Sequence, residues 1–264
     1  MIGPSGQDKD FPYWLVLLGG LIVWMFYQVA VNDLYTQVMG TLSKGIRITV
    51  LVTLIGFAMA SLTGLLLAVM SLSKSLILRQ IARFYIEVVR GIPIIVLLLY
   101  VAFVVAPGVI YAINWALEPL GVEPLRTRDF PLLWRATLAL AIGYSAFIAE
   151  VFRAGIQSVD GGQIEAAEAL GLNRWQRFRL IVLPQALRTI LPPLGNDFVA
   201  MVKDSSLVSV LGVSDITQLG KVTAAGNFRY FETYNIVALI YLTLTVTLSL
   251  ALRRLEQKMR DKPH

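Results

Sequence analysis

The stretch QIEAAEALGLNRWQRFRLIVLPQALR, residues 163–188, is the longest polar and basic interruption in an otherwise apolar sequence. Its residue types predict two short helices joined at Gly171, because glycine commonly ends a helix in the left-handed conformation. Asp160 is placed to cap the first helix, with Gln163 three residues later to return the hydrogen bond. We therefore predict a compact, hinged pair of helices in this part of the chain.

The second helix of the pair has its own start and stop signals. Asn173 and Gln176 repeat the capping pattern, and Pro184 is placed to end or kink the helix. An apolar stripe at helical spacing is formed by Trp175, Phe178, Ile181 and Val182. Because the first helix carries small alanines, its surface is low enough to fit a groove. Together these features predict a docking element.

The composition indicates an integral membrane protein. Of the 264 residues, 56% are hydrophobic and 15% are charged, with a net charge of +6 and a mean hydropathy of +0.68. A soluble domain averages about a quarter charged residues. There is no cysteine, and the one histidine is His264, which we expect to be a solvated tail residue. Thiolate chemistry, disulfides and histidine-based catalysis are therefore excluded.

Apolar segments predict an all-α fold with about six membrane-spanning helices, since roughly 20 apolar residues cross the hydrocarbon layer. The predicted spans are residues 11–32, 48–72, 91–117, 131–151, 189–213 and 233–252. We divide the chain into an N-terminal tail and first span, a five-helix core that includes the 160–188 loop, and a tail, at residues 1–44, 45–255 and 256–264. Residues 1–10 do not resemble a secretory leader, so we expect the first span to be retained.

The distribution of lysine and arginine predicts the orientation. With six spans, the 160–188 loop and both termini lie on one side of the membrane, and that side has roughly twice as many Lys and Arg residues as the other. The positive-inside rule therefore places the loop and both termini in the cytoplasm.

The spacing of residues in this loop also resembles a known family. Glu165-Ala166-Ala167, Gly171, Ile181 and Leu183-Pro184 match without a gap the cytoplasmic coupling loop of bacterial ATP-binding-cassette (ABC) importer permeases. The flanks at 146–159 and 201–213 are similar to the polar amino acid branch, and the resemblance covers about residues 45–255. Asp160-Gly161-Gly162 departs from the family pattern, in which a proline or lysine often precedes the Gly-Gln. We call residues 160–188 the coupling loop.

The resemblance implies a type I importer fold in the bacterial inner membrane, and a set of partners. These would be a dimer of ATPases, a second permease subunit that is either a copy or a paralogue, and an extracytoplasmic binding protein that delivers an amino acid. The residues implied to couple to the ATPase are Glu165, Ala166, Ala167, Gly171, Arg174, Ile181, Leu183 and Pro184. Glu165 would bond to the ATPase, the alanines would permit close seating, and Gly171 would fix the angle between the helices.

The chain itself lacks a nucleotide-binding pattern. No glycine-rich run ends in Gly-Lys-Ser or Gly-Lys-Thr, so ATP and Mg²⁺ would be bound by the partner ATPase and energy must come from outside this chain. We expect no cofactor or metal in this chain, and no catalytic residue.

Charged residues at membrane depth are candidates for a substrate pathway, because they normally face a protein or water-filled interior. Lys203, Asp204, Ser205 and Ser206 form such a pathway, with a half-helix starting at Asp204, or else a structural ion pair and cap. Arg90 either anchors the membrane edge or belongs to a gate. Glu150 and Arg153, one turn apart, either neutralise each other or lock two neighbouring spans.

Three other classes of function remain for comparison. A membrane enzyme would have to rely on Glu150, Asp197 and Asp204 without histidine or cysteine. A helix-turn-helix reader of nucleic acid is disfavoured by the spans on both sides of the loop, and we expect no nucleic-acid partner. An ion-coupled secondary transporter is the main alternative, and it would need an ion gradient rather than an ATPase. The identity of the transported amino acid is left open.

Overall fold

The computed structural model describes residues 13–260, apart from the side chains of Glu256, Lys258, Met259 and Arg260, and the regular secondary structure in this part of the chain is helical. The all-α class predicted from the sequence is confirmed. The longer helices are α1 (Tyr13–Val31), α2 (Asp33–Ser71), α3 (Leu76–Gly91), α4 (Ile94–Tyr100), α5 (Ala106–Leu117) and α6 (Leu132–Gln157). They are followed by α7 (Gly161–Ala169), α8 (Arg174–Arg177), α9 (Leu183–Asp204), α10 (Ile216–Asn227) and α11 (Tyr230–Arg260). Residues 1–12 and 261–264, which include His264 and parts of both predicted tails, lie outside the described residues.

Five helical stretches in the described chain are long and apolar enough to cross a membrane. They are Tyr13–Val31, Asp33–Ser71, Ile94–Leu120, Leu132–Gln157 and Tyr230–Leu255. The segment predicted as the fifth span is helical in α9. Because it contains charged residues and prolines, it is less apolar than these five stretches. The count of six spans therefore stays a prediction.

The start of the second span differs from the prediction. Lys44 and Arg47, which precede the predicted second span, lie inside α2, and residue 44, the predicted end of the N-terminal unit, is also within this helix. Only Asn32 separates α1 from α2, and its side chain accepts a 3.0 Å hydrogen bond from the Leu34 N–H as a helix cap. Both charged side chains are exposed, so the helix continues through them without burying a charge.

Helices α2 and α6 pack closely along the centre of the fold, because small residues on α2 let the backbones approach. A Cβ atom at Gly64 would lie 3.0 Å from the Ser145 carbonyl oxygen and 3.1 Å from the Ala149 amide nitrogen. Ala60, one turn earlier, is fully buried. Small residues on α2 therefore serve helix packing.

Two π-helical turns, Val101–Val105 and Phe178–Val182, each come just before a proline near the start of the next helix. After each turn, the first residue donates its N–H to the carbonyl five residues back, as Leu183 does to Phe178. The prolines, Pro107 and Pro184, have no N–H to donate. We predicted that Pro184 ends or kinks the second loop helix. The prediction that it ends the helix was wrong, because the wide turn lets the helical path continue into α9.

Candidate docking site

Gly171 forms the hinge between α7 and α8. Its φ is +78°, in the left-handed region. The Gly171 N–H donates to the Glu168 carbonyl at 2.9 Å, and the Leu172 N–H donates to the Ala167 carbonyl at 3.1 Å. This pair of bonds is the Schellman arrangement that satisfies the last carbonyls of a helix. The predicted hinge is therefore present at the predicted residue.

The helix starts on either side of the hinge are formed by side-chain caps. Asn173 and Gln176 exchange two hydrogen bonds of 2.9 Å, so the predicted capping box is confirmed. Asp160 accepts from the Gly162 N–H at 2.7 Å and caps α7. The predicted return bond from Gln163 is not made, because the Gln163 side chain instead accepts a 2.5 Å hydrogen bond from Gln185 on α9. That bond ties the start of α7 to the start of α9.

The two helices of the coupling loop are also linked directly. Arg177 on α8 forms a 2.7 Å ion pair with Glu168 on α7, and only 17% of the Arg177 side chain is exposed. Ala167 is buried, and Ile164 packs against the cluster of Val159, Ala186 and Ile190 at the base of the loop. The coupling loop is therefore a braced unit, and not a flexible linker.

The base of the coupling loop is formed by a close contact between α6 and α9. An added Cβ at Gly155 of α6 would meet the Cγ1 atom of Ile190 of α9 and lie 3.4 Å from the Ala186 carbonyl oxygen. Ser158 donates a hydrogen bond to the Thr189 hydroxyl across the same contact. The loop is therefore anchored at the ends of two long helices.

The surface of the coupling loop combines charge with unpartnered apolar side chains. Glu165 and Ala166 on α7 are exposed. Leu170 at the hinge is 80% exposed and Trp175 on α8 is 66% exposed, with the Trp175 ring stacked on Phe178 at 6.0 Å between centroids. Exposed apolar groups rimmed by charges mark sites of interaction with another protein or a membrane.

The other predicted coupling residues are distributed around this surface. Arg174, Gly171 and Pro184 are exposed, whereas Ile181 and Leu183 are half-buried. Ala167 faces the interior of this chain, so of the two alanines only Ala166 offers its surface to a partner. Their roles in coupling stay a prediction.

Between α6 and α9 the structure brings together groups that the sequence did not connect. The Tyr144 hydroxyl of α6 donates a 2.8 Å hydrogen bond to Oδ2 of Asp204, at the end of α9. Asp197, two turns earlier on α9, has a buried Oδ2 atom without a hydrogen-bond partner in the described chain. Tyr144 was missed because it lies in an uncharged stretch that reads as ordinary core.

The predicted pathway residues after Val202 do not converge on one site. Lys203 is exposed and lines a groove with Trp14 of α1 and Arg253 of α11, on another side of α9 from the Tyr144–Asp204 pair. Ser205 is buried and donates to the Val202 carbonyl at 2.7 Å.

The predicted half-helix start at Asp204 takes a different form. Helix α9 ends at Asp204 and a 3-10 helix, Ser205–Leu211, follows, with Ser206 half-buried in it. The Asp204 side chain makes no cap bond, because it is already engaged by Tyr144. Neither the cap nor an ion pair with Lys203 is present in the described chain.

The remaining charged candidates lie where α3 and α6 run side by side. Glu150 and Arg153 pair within α6 at 2.5 Å, and Arg153 also donates to Gln157 at 2.7 Å. The self-neutralising interpretation is therefore the one that the geometry favours. Arg90, at the end of α3, is exposed and lies 5.6 Å from the centre of the Phe147 ring, a cation–π contact that suits an anchor.

Residues 13–260 contain no cluster of three His, Cys, Asp or Glu residues that could hold a metal ion.

The bundle of long apolar helices, with the coupling loop exposed at one end, defines a polytopic membrane protein. The family described as "binding-protein-dependent transport system inner membrane component" matches residues 60–261, so the chain belongs to this family. The resemblance drawn from the coupling loop is thereby confirmed.

Individual relatives agree with this assignment. The chain is 36% identical over 219 residues to the glutamine transport system permease protein GlnP of Escherichia coli K12, covering 83% of this chain and 93% of that protein. It is 35% identical to the probable amino-acid permease protein YxeN of Bacillus subtilis, covering 85% of this chain and 93% of that protein.

Solved structures give the same picture. A crystal structure of an amino acid ABC transporter with histidines superposes with a TM-score of 0.70 at 36% identity, covering 85% of this chain and 95% of that one. The inward-facing MetNI methionine ABC transporter superposes with a TM-score of 0.64 at 21% identity, covering 84% and 97%, and supports the fold alone. The predicted type I importer fold is therefore confirmed.

Proposed function

We propose that this chain is the permease subunit of an ATP-driven amino acid importer, and that a separate ATPase docks on the coupling loop. The observation that carries the proposal is the braced loop itself, with Glu165, Leu170 and Trp175 exposed on a rigid base. The named relatives, which are amino acid or glutamine permeases, support the substrate class. The sequence has no phosphate-binding loop, so the nucleotide and its Mg²⁺ belong to the partner.

The proposed assembly contains two permease subunits, two ATPases and an extracytoplasmic binding protein. Both termini and the coupling loop lie in the cytoplasm, because Lys and Arg residues concentrate on that side. The second permease is either a copy of this chain or a paralogue.

The mechanism is alternating access driven from the coupling loop. When the ATPase dimer closes on ATP, the two docking elements of the permease pair move together. Since the loop is fixed to both α6 and α9 through Gly155 and Ile190, these helices follow as rigid bodies. Their movement opens the cavity toward the binding protein, and hydrolysis returns it to the inward-facing state.

Within the membrane, Asp204 is our proposed pathway group. It stands at the junction of α9 and the 3-10 helix that follows, where the backbone changes geometry, and it is bonded to Tyr144 across to α6. Relative movement of the two helices would break or remake this bond. Arg90 is assigned as an anchor at the end of α3, and Glu150 and Arg153 as a self-neutralising pair on α6.

The proposal is tested by uptake in proteoliposomes that contain this chain, its ATPase and its binding protein. Glu165→Lys reverses a charge on the docking surface and should abolish ATP-dependent amino acid uptake while the protein still inserts. Asp33→Lys reverses an exposed charge at the opposite end of the fold and should transport normally. Normal uptake in Glu165→Lys, or uptake driven by an ion gradient without ATP, would contradict the proposal.

A further inference from the structure

The loop between α5 and α6, residues 118–131, is tied to the neighbouring helices by side-chain hydrogen bonds, although all of residues 118–129 are exposed. We infer that this outer loop is the docking platform for the extracytoplasmic binding protein, and this inference depends on the function proposed above. The geometry that leads to it is the fixed position of an exposed loop at the end of α6 opposite to the coupling loop.

Arg135 fixes the C-terminal half of the outer loop. Its side chain is buried, with the residue 6% exposed, and no carboxylate pairs with it in the described chain. The guanidinium instead donates to the carbonyls of Phe130 at 2.7 Å, of Ala102 at 3.1 Å and of Thr127. Because the buried guanidinium donates hydrogen bonds to two loop carbonyls, it holds the loop to the first turn of α6.

The Ala102 carbonyl is available to Arg135 because of the π turn before α5. The Ala106 N–H, which would bond to Ala102 in a regular α-helix, donates to Val101 instead. The next residue, Pro107, has no N–H. Arg135 therefore joins the loop, α6 and the π turn at a single point.

Asn114 fixes the other half of the outer loop. Its side-chain amide donates to the Leu125 carbonyl and accepts from the Leu125 N–H, both at 2.8 Å, so it pairs with the loop backbone as a neighbouring strand would. Three prolines, Pro119, Pro124 and Pro131, further restrict the backbone. A loop that is already ordered loses little conformational entropy when a partner binds, which favours association.

The side chains at the tip identify the kind of partner. Leu120 is 72% exposed and Val122 is 52% exposed, and they are flanked by the exposed carboxylates of Glu118 and Glu123. Charges at this density are costly within hydrocarbon, whereas a small apolar centre with a charged rim is typical of a protein interface. Because α6 is 26 residues long and reaches the coupling loop at its other end, the tip cannot contact the ATPase. The family requires a binding protein, and this loop presents the matching surface.

The test measures ATP hydrolysis by the complete reconstituted transporter as its own binding protein, loaded with the amino acid it carries, is added at increasing concentration. Leu120→Glu and Val122→Glu should each raise the half-stimulating concentration roughly tenfold, as loss of a central apolar contact does. ATP hydrolysis without binding protein should stay unchanged. Leu255→Glu, which alters a 51% exposed apolar residue on α11 beyond the last predicted span and on the cytoplasmic side, is the matched control and should behave as the unmodified protein.

A second variant tests the contribution of loop order. Asn114→Ala removes both bonds to Leu125 without changing the tip, and should raise the half-stimulating concentration about fivefold through the added cost of ordering the loop. If both tip variants keep the normal half-stimulating concentration, the inference is wrong. The same result is expected if the tip instead contacts the outer lipid layer or a second copy of this chain. If the unmodified transporter shows no stimulation at all, the proposed function fails instead.

Discussion

Replacing Gly171 should lower the affinity of the ATPase for the coupling loop, by an amount that depends on the residue introduced. The residue has φ of +78°, and an added Cβ would meet no atom within 4 Å. Gly171→Ala therefore acts through the backbone alone, at a cost of roughly 1–2 kcal/mol for the left-handed conformation. That cost corresponds to about a 5- to 30-fold smaller equilibrium population of the formed hinge. Gly171→Asn should cost less, because asparagine tolerates this conformation.

Gly171→Pro should be the most damaging member of the series. Proline cannot adopt a positive φ, and it lacks the N–H that bonds to the Glu168 carbonyl. The measurement is the concentration of purified ATPase that gives half-maximal binding to proteoliposomes, with Gly161→Ala, where an added Cβ also meets nothing, as the control. We expect affinity to fall in the order glycine, asparagine, alanine, proline. If the alanine and proline variants insert normally and bind the ATPase as tightly as the unmodified chain, the hinge does not set the docking angle.

Two further predictions concern the interior. Tyr144→Phe removes the donor to Asp204 and should lower the thermal midpoint in detergent, with a cost of about 1 kcal/mol because a half-buried acceptor loses its hydrogen bond. Asp204→Asn keeps an acceptor oxygen and should cost less stability but change the uptake kinetics; unchanged kinetics would leave Asp204 with a structural role. Gly45→Ala would place a Cβ 2.5 Å from the Ile216 amide nitrogen and should destabilise the protein by roughly 1–3 kcal/mol through overpacking. Gly19→Ala, in open space, should be near neutral, and equal midpoints for these two glycine variants would refute the packing explanation.

Local chemistry allowed much of the coupling loop to be predicted from the sequence. The caps at Asp160 and Asn173 and the hinge at Gly171 depend on bonds within a few residues, so their signals are complete within a short window. Pro184 was misread because the usual stop signal assumes α-helical bonding. Because of the preceding π turn, Pro184 lies at a position where the helix tolerates a residue without an N–H.

The rest could not be predicted because it depends on contacts between distant segments. The role of Arg135 had no signal in the sequence, since its acceptors are backbone carbonyls that no residue type reveals. The Tyr144–Asp204 bond joins residues 60 positions apart. Lys203 and Asp204 were grouped by their adjacency, although neighbouring residues on a helix point in different directions. Helical geometry alone would have shown that they do not share one site.

The location of the coupling loop can be measured directly, because the chain has no cysteine of its own. Single cysteines placed at Leu170 and at Val122 would occupy exposed positions at the two ends of the fold. A membrane-impermeant maleimide applied to intact cells should label the Val122→Cys protein and leave Leu170→Cys unlabelled. In opened membranes it should label Leu170→Cys, and bound ATPase should block that reaction. Labelling of Leu170→Cys from outside intact cells, or full labelling in the presence of the ATPase, would contradict the assignment of this loop as the cytoplasmic docking site.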